Sequence, residues 1–229
     1  MEGKDSYPLS LLVTGDNSQT LYSTRFNATY HSTHGAVSES KHVFIQNGLQ
    51  YVHEQLNLKS INILEIGFGT GLNAFMTYLY ARQHAVKIHY HGIEAYPVPM
   101  EAALKLNYTV DFTEHENRLF EHLHVQPWNE VGEVSGFFSF TKHLCSVEKF
   151  MCDDKFDVIY FDAFSPSEQP ELWTTEIFKK MFALLADKGI FVTYCAQGQM
   201  KRNMKSVGFK VKALPGFGGK REMTRAEKV

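Results

Sequence analysis

The sequence is short of three things, and each shortage excludes a class of protein. It has no excess of positive charge: 23 Lys and Arg against 25 Asp and Glu leave a formal charge of −2 over 229 residues. The strong basicity by which a nucleic-acid binder often declares itself is missing, although a net charge averages over the surface and leaves room for a local basic patch. Cysteine is scarce, with only Cys145, Cys152 and Cys195, an odd number whose spacing fits neither a disulfide framework nor a zinc site. No apolar run approaches the roughly 18 residues of a membrane span. Nor does Met1-Glu2-Gly3-Lys4-Asp5-Ser6 contain the apolar stretch of a signal peptide. The expectation is a soluble, reduced, cytoplasmic domain without a membrane partner. Eleven histidines include the pairs His31/His34 and His89/His91. No Cys/His/carboxylate cluster completes a ligand set around them, so no metal is expected.

What is present is an ordinary globular composition, 44% hydrophobic and 21% charged, in a chain long enough for one α/β domain with a modest appendage. Residues 9–32 read as β structure around the turn-forming Gly15-Asp16-Asn17-Ser18. Ala36 to Leu56 carries apolar residues at helical spacing, interrupted near Asn47-Gly48, which predicts one or two helices. From Ile61 strands and helices alternate. Strands are predicted at 61–66 and 86–93, and helices at 72–81 and, after Pro97 and Pro99, at 100–106. The stretch 109–150 yields only a strand at Gly136–Phe140. A continuous apolar strand follows at 156–161. A helix at 174–185 is capped by Thr174 and ended by Lys188-Gly189. A strand at 189–194, a helix at 198–207 and a closing pair of strands within 208–226 complete the chain. Such alternation implies an α/β fold with a doubly wound, mostly parallel sheet and helices on both faces. Residues 1–60 are expected to form a β-hairpin and helical extension packed on a single folding unit, 61–229.

The first buried strand leads into Glu65-Ile66-Gly67-Phe68-Gly69-Thr70-Gly71-Leu72-Asn73. A glycine-rich turn at this place is where a doubly wound sheet binds a nucleotide. A dinucleotide fingerprint would need a third glycine at position 72, which is Leu. The E-x-G-x-G-x-G spacing instead resembles the first motif of class I methyltransferases. Small residues there let the backbone approach the methionine part of S-adenosylmethionine, and free N–H groups can meet its carboxylate. The cofactor-binding candidates are therefore Glu65, Gly67, Phe68, Gly69, Thr70, Gly71 and Asn73. Glu94, ending the next strand, can accept both ribose hydroxyls, a device that dinucleotide enzymes share.

Asp162 follows the most apolar strand and is expected to border the cofactor's methyl group from the neighbouring strand end. A carboxylate there can accept an amine's N–H, orient its lone pair and stabilise positive charge growing on nitrogen. Asp162 is thus both a catalytic and a cofactor-binding candidate. Near the C-terminus, Gly216-Phe217-Gly218-Gly219-Lys220-Arg221-Glu222-Met223 sets cations beside an aromatic, downstream of Lys201, Arg202, Lys205, Lys210 and Lys212. The segment reads either as a basic rim gripping phosphates with Phe217 near a base, or as a plain hairpin with solvated lysines.

Three stretches together resemble the methyltransferase part of the MnmC family: the glycine turn, Asp162-Ala163-Phe164-Ser165-Pro166 through Pro170-Glu171-Leu172-Trp173, and Gly216 to Met223. Glu39-Ser40-Lys41-His42-Val43-Phe44 is similar to that family's opening segment, so the resemblance spans roughly residues 10–226. It implies a Rossmann-like class I methyltransferase fold and S-adenosylmethionine as cofactor. The implied substrate is tRNA, bound at its anticodon stem-loop. The exocyclic amine of 5-aminomethyl-(2-thio)uridine at the wobble position would become 5-methylaminomethyl-(2-thio)uridine. It also implies Phe164, Pro166, Phe217, Gly218, Lys220 and Arg221 as substrate contacts. Two departures stand out. Bifunctional members continue into an FAD-dependent oxidase domain; this chain ends at Val229, so a monofunctional enzyme without FAD is expected. Members also tend to carry an acid near the end of the third strand for adenine, whereas Phe138 to His143 contains none. Three rivals remain open: a methyltransferase acting on a small-molecule or protein amine, an aminopropyltransferase-like enzyme, and a fold without catalysis that binds RNA.

Overall fold

The computed structural model describes residues 8–228. The segment Met1–Ser6, discussed above for its lack of a leader's apolar run, lies outside them. Two sheets are present. Strands β1 (Leu9–Val13), β2 (Gln19–Ser23) and β3 (Ala28–Thr29) form a small antiparallel sheet. The larger sheet contains β4 (Ser60–Ile66), β5 (Lys87–Glu94), β6 (Val131–Ser135), β7 (Phe138–Leu144), β8 (Phe156–Phe161), β9 (Leu185–Thr193), β10 (Lys210–Pro215) and β11 (Glu222–Glu227). Their order is β10-β11-β9-β8-β4-β5-β7-β6. The five central strands are parallel to one another, and the antiparallel pairings are confined to the two sides.

The central strands are apolar on both faces because both faces are covered. Ile61, Ile63, Tyr90, Val158, Tyr160 and Val192 face α3 (Leu72–His84), α5 (Glu114–Val125) and the helical run 36–56. Alternate residues Leu64, Ile66, Ile159, Phe161 and Phe191 face α6 (Thr175–Leu184) and α7 (Gly198–Ser206). From β4 the chain crosses first to β5 on one side and later to β8 on the other. That reversal opens a crevice beyond the strand ends, where ligands of such sheets sit. The pairing Ile66↔Ile93 and Ile66↔Phe161, carried one residue further, brings Gly67, Glu94 and Asp162 to one level at the mouth of that crevice.

Four sequence expectations are corrected. The helical run does not break at Asn47-Gly48: α1 (Ala36–Ser40), a wider π-helical stretch Lys41–Gln50 and α2 (Tyr51–Leu56) follow one another without a gap. Gly48 is there for packing, since a Cβ on it would lie 3.1 Å from both Tyr160 and Val192. The helix after Pro99 is only α4 (Met100–Ala103), while the unread stretch holds α5, started by a capping box of Thr113 and Glu116. The strand placed at Gly136–Phe140 starts at Phe138 and reaches Leu144, paired with β6 across a tight turn. Finally, α6 stops at Leu184 and β9 starts at once, so Lys188-Gly189 lies inside the strand. Lys188 takes a φ of 64° beside a register shift against β8, which marks a bulge.

Candidate active site

The glycine turn adopts a shape that only glycine accepts easily. Gly67, Gly69 and Gly71 have φ of 87°, 51° and 74°, in the left-handed region. A Cβ on Gly67 would stand 2.7 Å from the Asp162 carbonyl oxygen, and one on Gly69 would press on the Tyr30 ring at 3.0 Å. The turn is thus a bare backbone cradle wedged between two strand ends. Its N–H groups are less free than the spacing suggested. Those of Gly67 and Phe68 donate to the Ile93 carbonyl, and that of Gly71 to the Phe68 carbonyl. Gly69 N–H donates to Glu94 Oε2 at 2.9 Å, and the other carboxylate oxygen accepts from Tyr96 N–H at 2.8 Å. Glu94 is therefore locked in place by backbone, and burial raises its carboxyl above the ordinary range.

Under the turn lies a buried polar relay. Asn73, at the start of α3, donates from Nδ2 to Glu65 Oε1 and to Asp162 Oδ2, both at 2.8 Å, and accepts from Ser40 Oγ at 2.5 Å. Glu65 is 1% exposed, and the neighbouring Tyr90 hydroxyl is the group set against it on the side away from Asn73. Burial, with Asp162 and Glu94 adding to it, pushes Glu65 well above the usual carboxylate range. Burial and the Glu39 charge push Asp162 up to about 8.

A cavity of about 420 Å³ opens over these strand ends, within the size range of small-molecule sites. Of the sequence candidates, Gly67, Gly69, Glu94, Asp162, Phe164 and Lys220 line it together. Glu65 and Asn73 stand behind Asp162 rather than on the wall. Thr70 is buried and bonded to His31 Nε2 at 2.6 Å. Gly71 fits under His124 and the Phe68 ring. Phe68 turns away into a smaller recess of about 110 Å³ with Trp128, His124 and the buried Lys142. Pro166, Phe217, Gly218 and Arg221 are not on the cavity wall. Phe217 lies 6.3 Å from the His42 ring and Gly218 presses on His34, in the turn between β10 and β11.

Several wall residues escaped the sequence reading. Tyr30, His31, Ser32 and Glu39 come from the N-terminal extension, and Tyr194 from just beyond β9. The third strand ends later than expected, so Cys145, Ser146 and Glu148 line the cavity beside Tyr96. Glu148 thus supplies an acid just past the third strand, where none had been found. Only Glu94-Ala95-Tyr96, following a strand as it does, carried a local signal. Phe26 stacks on Phe164 with centroids 4.3 Å apart, and the Arg25 guanidinium lies 3.6 Å from the Tyr96 ring centre, which makes the hairpin turn the rim of the mouth. Among the described residues no group of three or more His, Cys, Asp or Glu could hold a metal ion, and no helix is long and apolar enough to cross a membrane.

A cradle that tolerates no Cβ, a carboxylate at the second strand end and a cavity of this size suit the methionine, ribose and base of S-adenosylmethionine in that order. Residues 137–229 match the family described as S-adenosyl-L-methionine-dependent methyltransferase. Fold, cradle and family define the chain as an S-adenosylmethionine-dependent methyltransferase of class I architecture. It is 32% identical over 216 residues to the tRNA 5-methylaminomethyl-2-thiouridine biosynthesis bifunctional protein MnmC of Nitrosospira multiformis, covering 90% of this chain and 35% of that protein. With MnmC of Cupriavidus necator it shares 30% over 214 residues, 90% of this chain and 32% of the other. The solved structure of MnmC2 from Aquifex aeolicus superposes with a TM-score of 0.77 at 24% identity, covering 97% of this chain and 71% of that one. The chain is similar over about 90% of its length to these MnmC proteins, and spans about a third of the length of the curated relatives it matches.

Proposed function

We propose that this protein methylates the exocyclic amine of 5-aminomethyl-(2-thio)uridine at the tRNA wobble position, giving 5-methylaminomethyl-(2-thio)uridine. The observation that carries this reading is Asp162, fixed by Asn73 at the cradle and raised to about 8. Such a carboxyl is matched to taking a proton from an aliphatic amine near neutral pH, better than an ordinary carboxylate would be. The names of the MnmC relatives supply the tRNA uridine.

Bound S-adenosylmethionine supplies an electrophilic methyl group. Gly67 and Gly69 would admit its methionine part, Glu94 would accept from its ribose, and Tyr96, Ser146 and Glu148 would border its base. Glu65, Phe68, Thr70, Gly71 and Asn73 shape the turn from behind, and Asn73 aims Asp162. Asp162 accepts the amine's proton and faces the positive charge that grows on nitrogen. Phe164 offers a face for the uracil ring, while Pro166, Phe217, Gly218 and Arg221 lie outward toward the anticodon stem-loop and Lys220 reaches from the same turn onto the cavity wall. Residues 1–60 act as an extension completing the acceptor end, and 61–229 carry the transfer, which is a displacement needing neither metal nor FAD. We place this activity in the cytoplasm, with its tRNA.

Mass spectrometry of wobble nucleosides from cells with and without the protein tests the reading. The methylaminomethyl nucleoside should vanish and the aminomethyl nucleoside accumulate when the protein is absent. Cofactor binding without methylation of any tRNA amine by the purified protein would overturn it.

A further inference from the structure

The acceptor end of the cavity holds a second carboxylate that the reaction as described leaves idle. Glu39, on α1, is 6% exposed yet lines the cavity together with Asp162. Its Oε2 accepts the Ser32 N–H at 2.8 Å, and its Oε1 pairs with Lys220 Nζ at 2.9 Å. The same Nζ lies 4.3 Å from the Tyr194 ring centre, and that ring is fixed by its hydroxyl donating to the Ala163 carbonyl at 2.9 Å. Carboxylate and aromatic face together make a subsite for a primary alkylammonium, which here belongs to the protein itself.

Lys220 is a weak tenant of that subsite. Its side chain is 43% exposed and comes from a surface turn, whereas the carboxylate it meets is built into the wall. A pair with one partner in water is worth little and exchanges easily. An aminomethyl acceptor reaches the protein as the same kind of cation, a short alkylammonium. We propose that Glu39 is the docking carboxylate for the acceptor's ammonium group, and that Lys220 holds its place until the acceptor displaces it. This rests on the amine-methylating function proposed above and names the residue that recognises the amine.

The exchange balances. The acceptor R–NH3+ replaces Lys220 beside Glu39, and Lys220, still charged, swings outward to where the tRNA backbone would pass. One ammonium proton moves to the Asp162 carboxylate, leaving R–NH2 and a neutral carboxyl. The freed lone pair forms the N–CH3 bond as the S–CH3 bond breaks, with that electron pair remaining on sulfur. The product leaves as a secondary ammonium. Titratable groups facing Asp162 through this sequence are Glu39, Lys220, Glu65, Tyr90, Tyr108 and Tyr194. Of these, only Glu39 and Lys220 make an ion pair that the acceptor can enter.

The test is calorimetric titration of 5-aminomethyluridine, and of the uncharged 5-hydroxymethyluridine, into protein saturated with S-adenosylhomocysteine. Glu39→Gln keeps an acceptor for Ser32 N–H and removes the charge. It should weaken the aminomethyl nucleoside by about 10-fold or more, the size of a charge-assisted bond, and leave the hydroxymethyl nucleoside unmoved. Lys220→Met empties the subsite and should tighten the aminomethyl nucleoside several-fold. A merely structural ion pair would make both variants shift the same way. The idea is overturned if Lys220→Met weakens the aminomethyl nucleoside, or if Glu39→Gln leaves it unchanged. Melting temperature and S-adenosylhomocysteine affinity report folding of each variant. Should Glu39→Gln not fold, Glu39→Asp, expected intermediate, and Lys220→Met decide. Wild-type protein that methylates tRNA while its variants break this pattern sinks only the docking role. Wild-type protein that methylates no tRNA amine sinks the function beneath it.

Discussion

At the cofactor end of the cavity, Gly67, Gly69 and Gly71 belong to one turn, and Glu94 ends the very next strand. The acceptor end instead draws Glu39 from α1, Asp162 from the end of β8 and Lys220 from the turn before β11. The first is a local construction, fixed by backbone angles and by hydrogen bonds between near neighbours. The second exists only once the sheet has closed and the N-terminal extension has packed on it. The contrast teaches that, with cofactor and acceptor placed as proposed, the two ends respond to different injuries: backbone strain at one, loss of charge or of tertiary placement at the other.

The sharpest way to break the comparison is Asp162→Asn. Turnover should fall by about 10²- to 10⁴-fold, the range for a positioned proton acceptor, with S-adenosylmethionine affinity nearly unchanged in calorimetry. A parallel loss of affinity would mean that Asp162 belongs to the cofactor end. Next comes Gly67→Ala, which forces a Cβ against the Asp162 carbonyl at a φ of 87°. Strain of roughly 1–3 kcal/mol plus that overlap should lower cofactor affinity by more than about 10-fold, measured by the same titration. Glu94→Gln keeps an oxygen for Gly69 N–H but removes the charge. Its amide N–H groups would face Tyr96 N–H, so affinity for the cofactor should drop about 10- to 100-fold and the melting temperature by a few degrees.

A subtler effect concerns pH. Burial pushes Asp162 in the folded protein up to about 8 from 3.8 for an ordinary aspartate, so the folded state holds its proton more tightly. The stability linked to that proton is full below about pH 4 and is lost as pH rises through about 8. Wild type should therefore melt below Asp162→Asn at pH 9, on the order of 5 °C, with the gap closing toward pH 4. Glu65 and Glu94 are raised as well, so the variant, not the absolute slope, isolates Asp162. Turnover runs the other way and should climb through pH 8. The smallest effect belongs to neither end: Thr113→Ala removes one arm of the α5 capping box and should cost about 1 kcal/mol, a few degrees, without touching kinetics.

The same contrast explains what could be read from the sequence. Strand, glycine turn and helix are contiguous, so their spacing separated S-adenosylmethionine from a dinucleotide, and Asp162 announced itself by ending the most apolar strand. Glu39 had no such signal. Nothing near Ala36 or Ser40 says that α1 will face a strand end formed more than a hundred residues later in the chain. Tyr30, His31 and Tyr194 were hidden for the same reason. Other misses had signals that were outweighed. Thr113-x-x-Glu116 before Leu119, Phe120 and Leu123 spells a capped amphipathic helix, yet three histidines and four acids from Asp111 to His124 obscured the pattern. Asn47-Gly48 looked like a breaker because glycine usually is one; here tertiary packing against Tyr160 overrode propensity.

The approach of Gly67 to the Asp162 carbonyl oxygen, too close to admit a Cβ between them, joins the two ends of the cavity through a shared wall. For anyone redesigning this enzyme, or following how its relatives diverged, that wall divides what can be exchanged from what cannot. The α1 face and the β10–β11 turn can be rebuilt around a new amine without disturbing the glycines. The strand end carrying Asp162 has no such freedom, because any shift of its backbone is felt at once by the glycine turn proposed to seat the methyl donor. New acceptors are therefore to be sought by swapping the outer segments around an inherited Gly67–Asp162 hinge pin.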